Sequence, residues 1–428
     1  MKEERKYWDE QIETMPLDKL RQLQEERLQA LVARAYEKTA LYRRKFDQLG
    51  IKPHDIETIE DLRELPLTEY MEDFCRTPLL EKMAVPWDEI SVFGSTSGTV
   101  SGFTQPVPFT KRDLEIMLDQ QARSYWAMGV RPWDTVMVTS GVDSIRRGFG
   151  QLGARFLFDE TGRRNLDYQI KLADIMGVTI IQQLPSLMLR FLERARELGS
   201  EARNTKLRMI AGIGESWAET YKKKVEEEYG VAFRTAYASY ESGMLSSQCG
   251  HGEGMHYWND YFIIEILDLE TKKPLGIGEE GEVVVTPLML EAVPLIRYRT
   301  GDVAHLLPYE PCSCNRTQPK ISMVKGRVTE ITRVAGKNIM PIDIEEIIAS
   351  IPQLGDQYQI IVDRPGELER LKVKVEHRPE AKDIGALKNQ VEEAIYRDLG
   401  IESEVEIIDV GGIERALFKA QRLITTYK

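Results

Sequence analysis

Apolar positions recur at helical spacing between residues 17 and 48, where Leu20, Leu23, Leu28, Leu31, Val32 and Ala35 fall near one face. The spacing predicts a long amphipathic packing helix. From about residue 87 the pattern changes to short apolar runs alternating with helix-like segments. Thr135–Thr139, Val178–Ile181, Leu207–Ile210 and Val231–Thr235 read as strands, with helices predicted over Tyr168–Met176, Pro185–Leu198 and Ala218–Tyr229. Strand and helix alternating in this way are the βαβ signature of a mostly parallel sheet. Tyr261–Leu267 and Gly281–Thr286, separated by turn-rich sequence, read instead as antiparallel strands. Beyond Gly326 a compact α+β unit is predicted, in which Pro341 opens a helix with isoleucines on one face. Strands near 358–362 and 371–376, a helix near 384–398 and a strand near 404–408 complete it. The expectation is an α/β protein divided at Gly326–Arg327 into a large unit, 1–325, and a small one, 326–428.

Composition narrows the function classes. A chain of 428 residues with a formal net charge of −12 lacks the basic footprint of a nucleic-acid-binding protein. A local pocket can still oppose that sign, so ATP and other acidic cofactors stay open. No apolar run is long enough to span a bilayer, and the charged start MKEERKYWDE has no apolar signal core. Four cysteines are too few for a disulfide scaffold. These features predict reduced thiols, a cytoplasmic location, and no membrane or nucleic-acid partner.

Five short stretches carry candidate chemistry. Ser95-Thr-Ser-Gly-Thr99 offers hydroxyls and glycine-exposed amides suited to an anion nest, yet no lysine follows before Lys111, so it is not a P-loop. Gly212-Ile-Gly-Glu-Ser-Trp217 follows a predicted strand, a common position for ligand loops in open α/β sheets. Tyr237-Ala-Ser-Tyr-Glu241 places a tyrosine able to stack on a planar base near a glutamate able to hold Mg²⁺. In Ile296-Arg-Tyr-Arg-Thr-Gly-Asp302 the aspartate is suited to accept bonds from a ribose diol. Arg415-Ala-Leu-Phe-Lys-Ala-Gln-Arg422 reads by composition alone as a solvated tail.

Taken in order, these motifs resemble the adenylate-forming superfamily, and more closely the phenylacetate–CoA ligase family. The similarity runs from Met15-Pro-Leu-Asp and Tyr42-Arg-Arg-Lys-Phe to Lys419, and is most specific at 295–302 and at Gly326-Arg-Val-Thr-Glu-Ile-Thr-Arg-Val-Ala-Gly336. The resemblance implies a two-step ligase using ATP, Mg²⁺ and coenzyme A. A carboxylic acid first becomes an acyl-AMP with loss of pyrophosphate, and CoA then displaces AMP. By the same resemblance Ser95, Thr96, Ser97, Gly98 and Thr99 meet the phosphates. Gly214, Glu215, Ser216, Tyr237 and Ala238 lie beside adenine, Glu241 is near Mg²⁺, and Asp302 is on the ribose. Arg327 falls on the hinge side of the nucleotide, Gly336 and Lys337 face a pantetheine channel, and Lys419 bridges carboxylate and α-phosphate. A homodimer is expected by analogy alone.

The chain also departs from the family. Val100-Ser-Gly-Phe-Thr104 replaces the Thr-Gly-Lys-Pro-Thr that commonly follows the phosphate loop's Gly-Thr. Gly141-Val-Asp-Ser-Ile-Arg-Arg-Gly-Phe149 lacks the usual aromatic, glycine-rich pattern of an acyl-pocket wall, which puts phenylacetate itself in doubt. Cys249, Cys312 and Cys314 with His256 make a Cys₃His set suited to tetrahedral Zn²⁺, although the spacing is not that of a standard finger and fits plain thiols equally. Resemblance favours a structural zinc subsite within 249–314, with His251 the rival to His256. Two other readings share the motifs: an adenylating enzyme that loads a carrier protein or an amine, and a nucleotide-binding module without ligase activity.

Overall fold

The computed structural model describes residues 5–95, 104–139, 148–158, 165–200, 205–364, 369–414 and 422–426. The chain divides into two compact units. One comprises Met1–Val136, Gly141–Leu157 and Arg234–Met323; the other comprises Met137–Ser140, Phe158–Phe233 and Val324–Lys428.

In the first unit the single long helix predicted from periodicity is two helices. Leu17–Lys38 buries Leu20, Gln24, Leu28, Leu31, Val32 and Ala35 and stops at Thr39, whose backbone is extended (φ −115°, ψ 137°). The Thr39 hydroxyl donates to Ala35 O at 2.8 Å and accepts from Tyr42 N at 3.2 Å. It thereby closes one helix and caps the next, Ala40–Leu49. Leu28, Leu31 and Phe46 pack with Ile263, Leu288 and Ile296 in one buried cluster. Ile263 belongs to an antiparallel sheet in which Phe262–Leu267 pairs with Gly281–Pro287, and Gly281–Pro287 with Tyr298–Ala304. A further antiparallel run joins Ala232–Ser239, Gly243–Ser247, Met255–Tyr257 and Lys320–Ile321. The hairpin of Ile90–Ser95 with Pro106–Thr110 has no counterpart in the sequence reading. Its first strand is half-exposed throughout, so it carries no clean alternation to detect.

The second unit contains a βαβ step. Ile180–Gln183 runs parallel to Met209–Ile213, with the helix Pro185–Glu197 between them in sequence. Its carboxy-terminal part is a mixed four-stranded sheet in the order Ser403–Ile408, Arg370–His377, Leu354–Asp363, Leu423–Thr425. The helices Pro341–Ser350 and Ile384–Leu399 contribute Ile344, Ile348, Val391 and Ile395 to the core that also holds Val373 and Val375. Leu423–Thr425 escaped the sequence reading because three residues in a polar tail show no period. Its pairing with Ile360–Val362 is what makes it a strand.

Arg297, in the first unit, is held in a conformation its type disfavours. Arg297 has φ +49°, the left-handed region that costs a side-chain-bearing residue of order 1–3 kcal/mol. Its guanidinium makes a bidentate pair with Glu265 (3.0 and 2.9 Å) and donates to Arg63 O and Leu65 O (3.0 and 2.7 Å). Its amide donates to Thr286 Oγ1 at 2.9 Å and its carbonyl accepts from Thr68 N at 3.0 Å. Five partners thus hold the turn that starts Tyr298–Ala304. Arg297→Ala leaves Glu265 without its partner and is expected to cost about 3–5 kcal/mol. The check is the urea unfolding midpoint, where Arg297→Lys recovers only part of the loss because an ammonium cannot form the fork.

Candidate active site and metal centre

Tyr298–Ala304 does not pair regularly with its neighbour. Glu282 faces Val303 and Val284 faces Arg299, so Val283 alone stands opposite Thr300, Gly301 and Asp302. Gly301 has φ +75°, which glycine adopts without steric cost, and the bulge turns the next side chain out of the ladder. The side chain so turned is Asp302. Its amide donates to Thr300 Oγ1 at 3.0 Å, and that hydroxyl donates to Val283 O at 2.8 Å. A second bulge lies in Gly243–Ser247, where Leu245 is the extra residue and the register with Ala232–Ser239 shifts between Tyr237 and Ala238. Tyr237 and Ala238 are therefore on the strand itself rather than after it, as the sequence reading had them. The Tyr237 hydroxyl donates to Asp302 Oδ2 at 2.7 Å.

In the turn that follows, Glu241 Oε1 accepts from the Tyr298 hydroxyl at 3.3 Å. Tyr240 lies across Gly94, where a Cβ would fall 1.8 Å from its hydroxyl oxygen. Only glycine permits that approach at the strand end leading into Ser95. Ser95 closes the strand Ile90–Ser95 and is exposed. Thr96, Ser97, Gly98, Thr99 and Lys419 lie outside the described residues. In the first unit the structure thus joins Tyr237 to Asp302 and Glu241 to Tyr298, and it brings in Tyr240 and Tyr298, which sequence reasoning did not single out. Both tyrosines sit inside motifs already quoted, so the available signal was proximity to a carboxylate in the same motif.

In the second unit Gly214 has φ +97° and starts the loop carrying Glu215 and Ser216. Glu215 Oε2 accepts from Ser186 N at 3.1 Å, in the first turn of Pro185–Glu197. Glu215, Ser216 and Trp217 line a cavity of about 440 Å³ together with Glu345, Tyr358 and Arg422. Burial pushes the Glu345 carboxyl up to about 8; Arg422 opposes the shift and the neighbouring carboxylates of Glu215, Glu346 and Asp356 add to it. The Arg422 guanidinium lies 4.4 Å from the Tyr358 ring centroid. Arg327 N donates to Glu330 Oε2 at 2.8 Å. Lys337 Nζ donates to Leu399 O and Gly400 O at 2.7 and 3.2 Å, at the carboxyl end of Ile384–Leu399. Gly336, before it, has φ +80°.

Cys249, His256, Cys312 and Cys314 present ligand atoms within 4.8 Å of one another, in the first unit. Cys249 and Cys312 sulfurs are 3.6 Å apart, and Cys314 Sγ is 3.3 Å from His256 Nε2. A tetrahedral zinc with ordinary bond lengths needs about 3.8 Å and about 3.6 Å for those separations, so the four residues fit the ion. A disulfide needs about 2.05 Å, far shorter than observed. His256 Nδ1 bonds Gln318 O at 2.6 Å, which turns Nε2 to the sulfurs. Hydrogen bonds from Cys249 and His256 hold the Cys314 thiol well below its usual range. His251 takes part through its backbone carbonyl, which accepts from Cys249 and Cys312.

The cysteine loop also clasps the amino-terminal segment. Arg316 Nε pairs with Glu13 Oε2 at 2.5 Å with both side chains buried, and Arg316 N donates to Cys314 Sγ at 3.5 Å. Tyr7 donates to Cys314 O, and Gln318 to Ile12 O. Upstream, Trp8 Nε1 donates to Asp119 Oδ1 at 2.7 Å. Glu13 and Arg316 are more than three hundred residues apart, and nothing in local sequence links them.

Residues 336–426 match the family described as AMP-binding enzyme C-terminal domain. A 2-hydroxyisobutyryl-CoA ligase in the postadenylation state, in complex with 2-HIB-AMP, superposes with a TM-score of 0.90 at 24% identity, over 99% of this chain and 93% of that one. The fold is that of the adenylate-forming ligases. The chain is 33% identical to the phenylacetate–coenzyme A ligase of Thermus thermophilus, over 90% of this chain and 88% of that protein. It is 31% identical to that of Escherichia coli over 96% of each. It therefore belongs to the phenylacetate–coenzyme A ligase family.

Glu345 generates a pH prediction. Its carboxyl is raised from the ordinary 4.5 to about 8, so the native state keeps a proton that the unfolded chain has already released. The group's contribution is fully present below pH 4.5 and is lost as pH rises to about 8. Glu345→Gln is therefore expected to gain stability over the parent steadily across that window. Unfolding midpoints of the two proteins measured at a series of pH values provide the check.

Proposed function

We propose that this chain is an AMP-forming acid–CoA ligase. A carboxylate oxygen attacks the α-phosphorus of Mg·ATP and pyrophosphate leaves, giving acyl-AMP. The CoA sulfur then attacks the acyl carbon, its proton is lost, and AMP leaves with the C–O bond electrons. The observation that carries this reading is the bond from Tyr237 to Asp302, made where the ladders of two sheets are broken by bulges, in a chain of this family. Asp302 would accept from the ribose hydroxyls, and Tyr237 with Ala238, Gly214, Glu215 and Ser216 would frame adenine. Glu241 would hold Mg²⁺, the ion that offsets charge on the transferring phosphates. Ser95 through Thr99 would supply hydroxyls and amides to the phosphates, and Arg327 would lie on the nucleotide's hinge side. Gly336 and Lys337 would face pantetheine.

Lys419 would supply the cation absent from the phosphate loop, bridging the attacking carboxylate and the α-phosphate. It sits in the proposed small domain, 326–428, while 1–325 forms the ATP- and acyl-binding domain. The relatives' names favour an aryl acid such as phenylacetate, and the altered segment 141–149 favours a different aryl or small organic acid. Cys249, His256, Cys312 and Cys314 would hold a structural Zn²⁺; four protein ligands leave no open position for catalysis. A homodimer in the cytoplasm completes the reading. Among the described residues no helix is long and apolar enough to cross a membrane.

A screen of aryl and alkyl acids for pyrophosphate release, with and without CoA, tests the activity. Release with thioester formation is expected. Release without thioester would point to another acceptor, and no release with any acid to a binding module. Lys419→Ala is expected to slow adenylation by about 10²–10³-fold while sparing thioester formation from supplied acyl-AMP; equal loss of both steps would sink its assigned role. Metal analysis should find one zinc per chain. Its removal by a chelator should free the segment around Trp8 and Glu13, seen as earlier proteolysis there and a change in tryptophan emission.

A further inference from the structure

We propose that Tyr237 is a positioning residue for the ribose as well as a platform for the base: its hydroxyl sets the plane and register of the Asp302 carboxylate. The proposal rests on the reading of Asp302 as the ribose acceptor. Three observations in the first unit carry it. The bulge opposite Val283 lifts Asp302 out of its ladder. A bulge at Leu245, in the strand that faces Tyr237, shifts the register of a different sheet between Tyr237 and Ala238. The contact is 2.7 Å, between a tyrosine that is 7% exposed and Oδ2 of the carboxylate.

The backbone of Asp302 is braced separately, through Thr300 Oγ1 and on to Val283 O, so the tyrosine's contribution falls on the carboxylate itself. A carboxylate has about four lone-pair sites, so a bond from Tyr237 is compatible with two from a vicinal diol. A diol also demands a fixed acceptor plane, because its two hydroxyls are held at one separation by the furanose ring. A carboxylate free to rotate would lose that match and would have to be ordered on each binding event. One residue would then align both halves of the nucleoside, its ring facing the base and its hydroxyl setting the acceptor for the sugar.

The test compares ATP with 2′,3′-dideoxy-ATP in acid-dependent adenylation, for the parent, Tyr237→Phe, Asp302→Ala and the double variant. Phenylalanine keeps the stacking ring and removes only the hydroxyl. Tyr237→Phe is expected to lower kcat/KM for ATP by about tenfold, mainly through KM, the scale of one neutral hydrogen bond. It should leave dideoxy-ATP within about twofold, so that the preference for ATP shrinks. Asp302→Ala should abolish the preference, and the double variant should be no worse than Asp302→Ala alone, because the tyrosine acts through the carboxylate. A preference unchanged in Tyr237→Phe overturns the proposal. So does equal loss on both nucleotides, which is what damage to stacking or folding would produce. If Asp302→Ala itself keeps the parent's preference, the ribose reading falls first and the role of Tyr237 falls with it.

Discussion

The buried fork of Arg297 is the constraint on which the proposed nucleotide side of the first unit depends. Its guanidinium joins Glu265 of one strand to the carbonyls of Arg63 and Leu65, and its own backbone is left-handed. That geometry sets where the following strand begins. Thr68 then brackets the start, accepting from Arg299 N at 3.1 Å and donating to Arg297 O at 3.0 Å. Tyr298 and Asp302 lie on the strand so placed, where they meet Glu241 and Tyr237. An arginine can do this because five donors in a rigid plane reach several acceptors at once.

Buried charge recurs as an organising device in the same unit. Arg123, fully buried, pairs with Asp260 at 2.6 Å and Asp119 at 3.4 Å, while Asp119 also accepts from Trp8 and from the Tyr261 hydroxyl. Glu13 and Arg316 form a second buried pair beside the cysteine cluster. Both tie the amino-terminal segment down, one at Trp8 and one at Glu13. Breaking such a pair leaves a charge in a poorly solvating interior, so loss of either partner is strongly destabilising. The Cys₃His cluster is tied to the second pair directly: Arg316 bonds both Glu13 and the sulfur of Cys314.

Much of the layout was legible in the residues. The antiparallel strands around Ile264 and Val284, the βαβ run through Met209, and the α+β unit after Gly326 all follow from periodicity with Gly and Pro punctuation. Where the reading failed, a single side chain or a pairing partner decided the outcome. Thr39 split one predicted helix into two, because its hydroxyl can close one end and open another. Leu423–Thr425 is a strand because Ile360–Val362 lies alongside. At the site, Asp302 and Glu241 could be named from their motifs, whereas the bond from Tyr237 to Asp302 could not. It crosses sixty-five residues and depends on two bulges, and register irregularities leave no period in sequence.

The sequence by itself determined the inventory: which hydroxyls, carboxylates, thiols and cations exist, in an order that resembles one family, and which segments become helix or strand. Local chemistry suffices for that, since propensity, capping and alternation act over a few residues. Tertiary structure decided which of those groups meet. His256 rather than His251 turns its ring to the sulfurs because Gln318 O holds its other nitrogen. Lys337 lies against a helix end, and Tyr237 against Asp302, because packing brought distant backbone into hydrogen-bonding range. Hydrogen bonds of that kind are short-ranged and directional, so only the folded chain can specify them.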